Sequence, residues 1–349
     1  MALSGLDHEQ LLVTRGARSG AYTVIAVHSS LLGPALGGCR VTAYAHPGEA
    51  TADALRLSRG MTFKASVAGV DLGGGKGVVC VEPGRELTHE LRDDMLLDFA
   101  DAVESLGGRY ITAEDVGTSP ADMRLIAART EHVVGLPSDL GGLGDPSPFT
   151  ALGVHAAIRA CVAQRFGSPD LSGRRVTVVG AGHVGTHLAQ LLADDGAQVV
   201  VSDVDERKRA LVEELPGAMW LPPAEALSAE VDVLAPCALG GVINETTLPR
   251  LRAAIVCGAA NNQLAHDTMA EDLAHAGVLY APDFVANAGG LILVAAEIEG
   301  ADGERARERI RGIEGLLGDI LTEAAGRGVT PLSAAYDLAD RRLAAPATS

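Results

Sequence analysis

Four polar features stand in apolar or glycine-rich surroundings: Lys64 in "GMTFKAS", Lys76 in "LGGGKGVV", Asp115 in "TAEDVGT" and the pair Asn261-Asn262 in "GAANNQL". Taken singly, each has an ordinary reading. Lys64 fits a charge at the carbonyl end of a helix, Asp115 a loop or cap carboxylate, and the asparagines a turn. Lys76 invites comparison with a phosphate-binding loop. That motif requires G-x-x-x-x-G-K followed by Ser or Thr, and here Gly77 follows the lysine, so the comparison fails. What remains is an amine held by a rigid glycine turn, away from water and close to Lys64. Both conditions lower a lysine's pKa toward neutrality, and a neutral amine can act as a general base.

A second pattern lies downstream. In "VTVVGAGHVGTHLAQLL", Gly180, Gly182 and Gly185 follow a predicted strand and open a predicted helix. The first makes a tight turn, the second lets backbone approach a pyrophosphate, and the third permits close packing of helix on strand. His183 and Val184 fill the two positions between the second and third glycines, where unpaired helix N–H groups face the phosphates. The next strand, "QVVVSD", ends in Asp203, placed to accept hydrogen bonds from ribose hydroxyls. These features predict a dinucleotide site, with Asp203 favouring NAD over NADP although Arg207 and Lys208 lie close by. His183 and His187 sit one helical turn apart without a third ligand, so no metal is expected.

The elements around these residues alternate. Strands are predicted at 21–28, in the following segment, which Gly33-Pro34 and Gly37-Gly38 punctuate, in "GVVCVE" after the glycine run, and in "RYITAEDVGT". Helices are predicted from Pro47 to near Gly60, with Ala50, Ala54, Leu57 and Met61 on one face, then in "HELRDDMLLDFADAVESLGG" and "SPADMRLIAART". The aperiodic stretch 135–150, rich in Gly, Pro, Ser and Asp, marks a junction. Beyond it come a helix, the glycine fingerprint, further strands at "VDVLAP", "AAIVCGAA" and "VLYAPDFV", and a helical tail from Leu291. The class is α/β: an N-terminal α/β substrate and oligomerisation domain at 1–140, then a Rossmann-like doubly wound NAD-binding domain at 141–349. An active-site cleft is expected between them, with the C-terminal helices packing back toward the first domain.

At 349 residues with 47% hydrophobic and 21% charged residues, the chain can bury a sizeable core. The formal charge of −17 argues against nucleic acid or an anionic membrane as partner. Five dispersed cysteines with no CxxC pair indicate reduced thiols, and the N-terminus has no basic start followed by an apolar run. A cytoplasmic protein is expected.

The runs "LGPALGG", "ALRLSRGMTFK", "LGGGKGVV", "RYITAEDVGT", "APCALGGVIN", "GAANNQLAH" and "YAPDFVANAGG" together resemble the amino-acid dehydrogenases of the glutamate, leucine, phenylalanine and valine group, the bacterial valine and leucine enzymes most of all. The resemblance spans roughly residues 20–300 and preserves order and spacing. It implies that Lys64 binds the substrate α-carboxylate, Lys76 activates the water that attacks an imine, and Asp115 shuttles protons. It also implies that Asn262, Gly37 and Gly38 meet the substrate, and that Asn261, Asn287 and Thr150 meet the cofactor. Leu36, Ala113, Leu291 and Val294 map to the side-chain pocket. All are small or aliphatic where glutamate enzymes carry a lysine and a hydroxyl, so the implied substrate is valine, leucine or isoleucine. Departures at Ala65-Ser66 and Leu293 touch the pocket wall. The implied reaction converts an amino acid to its 2-oxo acid and ammonia with NAD, in a homo-oligomer whose edge strand at 21–28 is a natural contact. Phenylalanine as substrate is one alternative. A non-catalytic NAD-binding relative would have lost one of Lys64, Lys76 or Asp115, and a hydroxy-acid dehydrogenase would need a catalytic histidine and a carboxylate-binding arginine.

Overall fold

The computed structural model describes residues 6–345 apart from Pro216. The chain forms two compact units. The first runs to Asp145 and also takes Val294–Asp302 and the chain from Ala339 onward, while the second comprises Pro146–Leu293 and Gly303–Leu338.

In the first unit, β1 (Gln10–Arg15), β2 (Tyr22–Ser29), β3 (Ala35–Ala43), β4 (Gly73–Val81) and β5 (Tyr110–Glu114) form a mixed sheet in the order β1-β2-β4-β3-β5. β2 is antiparallel to both its neighbours, whereas β3 runs parallel to β4 and β5. Alternation along β2 divides its side chains between two layers. Val24 and Ala26 pack with Ala50 and Ala54 of helix α1 (Pro47–Val67). Ile25 and Val27 join the larger core with Met95, Leu96 and Phe99 of α2 (His89–Glu104) and Met123 and Ile126 of α3 (Pro120–Ala127).

Three local expectations are corrected. Helix α1 does not stop near Gly60 but continues to Val67, so Lys64 lies in its last turn. Its buried stripe is Ala50, Ala54, Ser58 and Thr62, while Leu57 and Met61 are only half-buried. The reason is the floor beneath it: a Cβ on Gly74 would lie 2.1 Å from Thr62 Oγ1 and 2.5 Å from the Ser58 carbonyl oxygen, leaving space for small residues only. Second, the glycine run is no turn. It is the first half of β4, which is buried along its whole length. Third, Gly37-Gly38 does not interrupt a strand but lies inside β3, where a Cβ on Gly37 would sit 1.8 Å from the Gly75 carbonyl oxygen. On the opposite face of β4, a Cβ on Gly75 would approach the Tyr110 ring to 2.6 Å and one on Gly77 would meet Phe99 at 2.5 Å.

The end of the helix Pro331–Ala344 belongs to this unit and secures the end of α1. Arg342 Nη1 donates to the carbonyls of Ala65 (3.1 Å), Ser66 (3.0 Å) and Val70 (2.9 Å), and Ser66 Oγ donates to the Ala339 carbonyl at 2.7 Å. Helix-terminal carbonyls lack intrahelical donors, and a guanidinium supplies them here.

The second unit is built on a six-stranded sheet in the order β11-β10-β9-β6-β7-β8. Its strands are β6 (Arg175–Val179), β7 (Gln198–Ser202), β8 (Met219–Trp220), β9 (Val233–Pro236), β10 (Ile255–Val256) and β11 (Leu279–Tyr280), all parallel; β8 has no counterpart in the sequence-based expectations. Strand order reverses at β6/β9, the position where doubly wound sheets bind ligands. Helix α4 (Ser147–Phe166) opens the unit and α5 (His183–Asp194) follows β6.

Substituting Gly75→Ala should lower stability by about 1–3 kcal/mol, because the buried Tyr110 ring cannot yield. Gly60→Ala, in open space within α1, should instead stabilise by roughly 0.5–1 kcal/mol. Urea unfolding of the two variants checks both signs.

Candidate active site

Lys76 projects from the α1 side of β4, between strands on both edges, and only 5% of the residue is exposed. Its Nζ lies 2.8 Å from Asp115 Oδ2, the one partner it has among the described residues. An ammonium has three donors to satisfy. Burial pushes the Lys76 ammonium down and the Asp115 charge restores only part of the loss, so its pKa lies below the ordinary lysine range. Burial also pushes the Asp115 carboxyl up, but the adjoining charges of Lys76 and Arg40 outweigh it and hold Asp115 below the usual carboxylate range. The loop bearing Asp115 is fixed by Thr118, whose Oγ1 accepts from the Asp115 N–H at 2.8 Å and lies 3.0 Å from the Cys39 carbonyl.

Arg40 escaped the sequence reading, which gave the role of second cation to Lys64. Standing on β3, it shares Asp115 Oδ2 with Lys76, its Nε donating at 2.9 Å. Its Nη1 donates to Asp53 Oδ2 of α1 at 3.0 Å, and the same oxygen accepts from Tyr44 Oη at 2.7 Å. No local signal marks Arg40, because it comes near Lys76 only through the pairing of β3 with β4. That pairing is not visible in the sequence.

The other residues singled out in this unit fall around the same sheet. Gly38 pairs in register with Ala113, and Leu36 with Ile111 and Gly74, leaving Leu36 buried and Ala113 half-buried. The Gly37 carbonyl accepts a short hydrogen bond from Tyr110 Oη. Neighbouring backbone already demands both glycines, since a Cβ on Gly38 would lie 2.5 Å from the Glu114 carbonyl oxygen. Val294 lies half-buried in the helix Gly289–Ile298.

In the second unit, Gly180 has φ +114° and a Cβ there would come within 2.8 Å of Ala238, past the end of β9. A Cβ on Gly185 would strike the Gly180 carbonyl oxygen at 1.8 Å. Gly182 differs. Its φ of −80° suits any residue and a Cβ would meet nothing within 4 Å, so its outer side stays open to a ligand. His183 and Val184 begin α5, the histidine exposed. Asp203, 8% exposed, accepts from the Ala181 N–H at 2.8 Å and the Asp205 N–H at 2.9 Å, and pairs with Lys208 at 2.8 Å. Arg207 turns to Asp205 instead.

Asn262 holds a left-handed conformation, φ 51°, and its carbonyl accepts from the Gly241 N–H at 2.7 Å. Asn287 Nδ2 donates to the Ala259 carbonyl at 3.0 Å and to Asn261 Oδ1 at 2.9 Å. Its buried Oδ1 has no partner among the described residues. Thr150 lies in the first turn of α4, and a Cβ on Gly290 would sit 2.9 Å from its Oγ1; Leu291 is buried one residue further on. The open face at Gly182, the carboxylate at Asp203 and the orphaned amide oxygen of Asn287 fit a dinucleotide.

Comparison with known proteins gives the same answer. Residues 11–132 match the model of the Glu/Leu/Phe/Val dehydrogenase dimerisation domain, and residues 200–345 that of glutamate/leucine/phenylalanine/valine dehydrogenase. The chain belongs to this dehydrogenase family. Residues 175–218 also match the NAD-binding domain of 3-hydroxyacyl-CoA dehydrogenase. Valine dehydrogenase of Streptomyces albus is 44% identical, covering 97% of this chain and 92% of its own. Leucine dehydrogenase of Geobacillus stearothermophilus is 41% identical, covering 97% and 91%. The crystal structure of L-tryptophan dehydrogenase from Nostoc punctiforme superposes with a TM-score of 0.84 at 42% identity, covering 98% of this chain and 97% of that one. The protein is an amino-acid dehydrogenase that uses NAD.

In this dehydrogenase lysine is scarce. Among its 28 basic residues only Lys64, Lys76 and Lys208 are lysines. Of the two basic side chains, only the lysine amine can lose its proton near neutral pH. Among the described residues no helix is long and apolar enough to cross a membrane.

Gly182→Ala should leave the unfolding midpoint unchanged and weaken NADH binding at least about tenfold, the cost of an obstructed phosphate contact. Fluorescence titration with NADH reads this; unchanged affinity would move the pyrophosphate away from the 180–185 turn.

Proposed function

We propose that this dehydrogenase catalyses the reversible oxidative deamination of a branched-chain L-amino acid to its 2-oxo acid and ammonia, with Lys76 and Asp115 as the acid–base pair. The observation carrying this reading is the buried contact between Lys76 Nζ and Asp115 Oδ2 at 2.8 Å. Gly180, Gly182, His183, Val184, Gly185, Asp203, Asn261, Asn287 and Thr150 would hold NAD, which would supply the acceptor for the α-hydrogen as hydride; the substrate, its ammonium having given a proton to Asp115, is left as a protonated imine. Lys64 binds the α-carboxylate by a charge-assisted hydrogen bond, with the backbone of Gly37 and Gly38 and the side chain of Asn262 completing the contact. Lys76, as the neutral amine, takes a proton from the water whose oxygen bonds to the imine carbon, giving a carbinolamine. Asp115 delivers the proton it took from the substrate to the amino nitrogen, the C–N bond breaks as the hydroxyl proton passes back to Asp115 and the C=O bond forms, and ammonia leaves with the 2-oxo acid behind.

The resemblance assigns Leu36, Ala113, Leu291 and Val294 to the substrate side chain, and their aliphatic character supports valine, leucine or isoleucine and offers nothing to a second carboxylate. One methylene in such a pocket is worth only about 1–3 kcal/mol, so the three are close competitors. The tryptophan dehydrogenase at 43% identity favours a second reading, an aromatic amino acid. We place the enzyme in the cytoplasm as a homo-oligomer assembled through its first unit, where the dimerisation-domain model matches; the strand at 21–28 is no edge, since β2 pairs with β1 and β4, and β1 is the strand that leaves a sheet edge unpaired among the described strands.

An NADH-absorbance assay across valine, leucine, isoleucine, phenylalanine, tryptophan and glutamate should show the branched-chain substrates fastest and glutamate inactive. Preference for tryptophan or phenylalanine would replace the substrate assignment. Lys76→Ala should lose turnover by roughly 10²–10⁴-fold while still binding NADH; near-normal turnover would end the assignment of the base.

A further inference from the structure

We propose that Arg40, gripped from behind by Asp53, is a positioning residue that fixes Asp115 on Lys76 and sets the pH at which the pair becomes competent. The inference rests on reading Lys76 and Asp115 as the acid–base pair. It adds a residue for which that chemistry has no direct use.

The geometry is a chain of charges in one layer. Lys76 Nζ and Arg40 Nε meet on the same oxygen, Asp115 Oδ2, at 2.8 and 2.9 Å. Arg40 Nη1 reaches the opposite way to Asp53 Oδ2 at 3.0 Å, and Asp53 Oδ1 accepts from Arg56 at 2.7 Å. A planar guanidinium can hold both carboxylates in fixed directions at once, which a lysine in its place cannot do. With Arg40 present, part of the Asp115 charge is already compensated, so it stabilises the Lys76 ammonium less. Arg40 also repels that ammonium directly.

Other groups around the pair contribute little charge. Cys39 on β3 and Tyr110 on β5 are buried and stay protonated, as does Tyr44 against Asp53. On β2 the residue in register with Lys76 is Ala26; His28, two residues on, bonds Thr62 Oγ1 at 2.8 Å and faces Asp7. On the other side of the sheet Arg92 and Asp122 neutralise one another at 2.8 Å. Besides the cations Lys64 and Arg56 of α1, Arg40 and Asp53 are the charges that reach the pair from the side.

The sign follows. Removing Arg40 lets the full carboxylate charge act on Lys76, so the neutral amine forms at higher pH. Removing the Asp53 charge leaves Arg40 less compensated, and the amine forms at lower pH.

The test is the pH dependence of kcat/KM for deamination of the preferred amino acid. In Arg40→Gln the acid limb should move up by roughly one pH unit. Arg40→Lys should restore the limb toward its original position with lower kcat, because the charge returns without the fork. Asp53→Asn should move the limb down. A merely structural role would lower activity in these variants without moving the limb in opposite directions. If Arg40→Gln does not fold, Arg40→Lys and Asp53→Asn carry the test. Limbs that coincide with the unsubstituted enzyme overturn the role of Arg40 even when Lys76→Ala is inactive, whereas an active Lys76→Ala overturns the acid–base pair itself.

Discussion

The close approach of α1, Tyr110 and Phe99 to the two faces of one strand is the constraint on which the rest of the first unit depends. Glycines at 74, 75 and 77 let helix and rings come nearer than any side chain would allow. The amine of Lys76 is thereby enclosed, and a single carboxylate is supplied in place of water. Burial of an amine with too few acceptors disfavours its charged form. The same packing explains the small residues of α1.

The glycine run thus acts indirectly. A sequence can show that Lys76 is surrounded by glycine, but not whether the space those glycines free is taken by substrate, by phosphate or by protein. In β4 it is taken by Thr62, Ser58, Tyr110 and Phe99. For Gly182 the opposite holds, since nothing in the chain occupies its open side and the residue has no conformational need to be glycine. Two glycine motifs that look alike in the sequence therefore differ in their physical cause.

Much of the fold was legible because its signals are local. The helices α2 and α3, the strand–turn–helix at 175–194 and the parallel strands that follow are each set by periodicity, caps and glycine placement within a few residues. Polar type in apolar or glycine-rich surroundings picked out Lys64, Lys76 and Asp115, and family resemblance supplied the roles proposed for them. What stayed hidden depends on pairing between distant segments. The end of α1 was misplaced because Gly60 costs a helix only about 1 kcal/mol, far less than the packing that carries it on to Val67. Arg40 and Asp53 were invisible because their meeting depends on β3, β4 and α1 sharing one layer.

The central claim is that Lys76 is poised as an uncharged base, and the most direct measurement is the titration of its side chain. With only three lysines in the chain, labelling with [ε-¹³C]lysine gives three resonances, assignable through Lys64→Arg and Lys208→Arg. In the folded enzyme the Lys76 resonance should titrate well below the ordinary lysine value of about 10.4. A Lys76 resonance that titrates at that ordinary value would contradict the account.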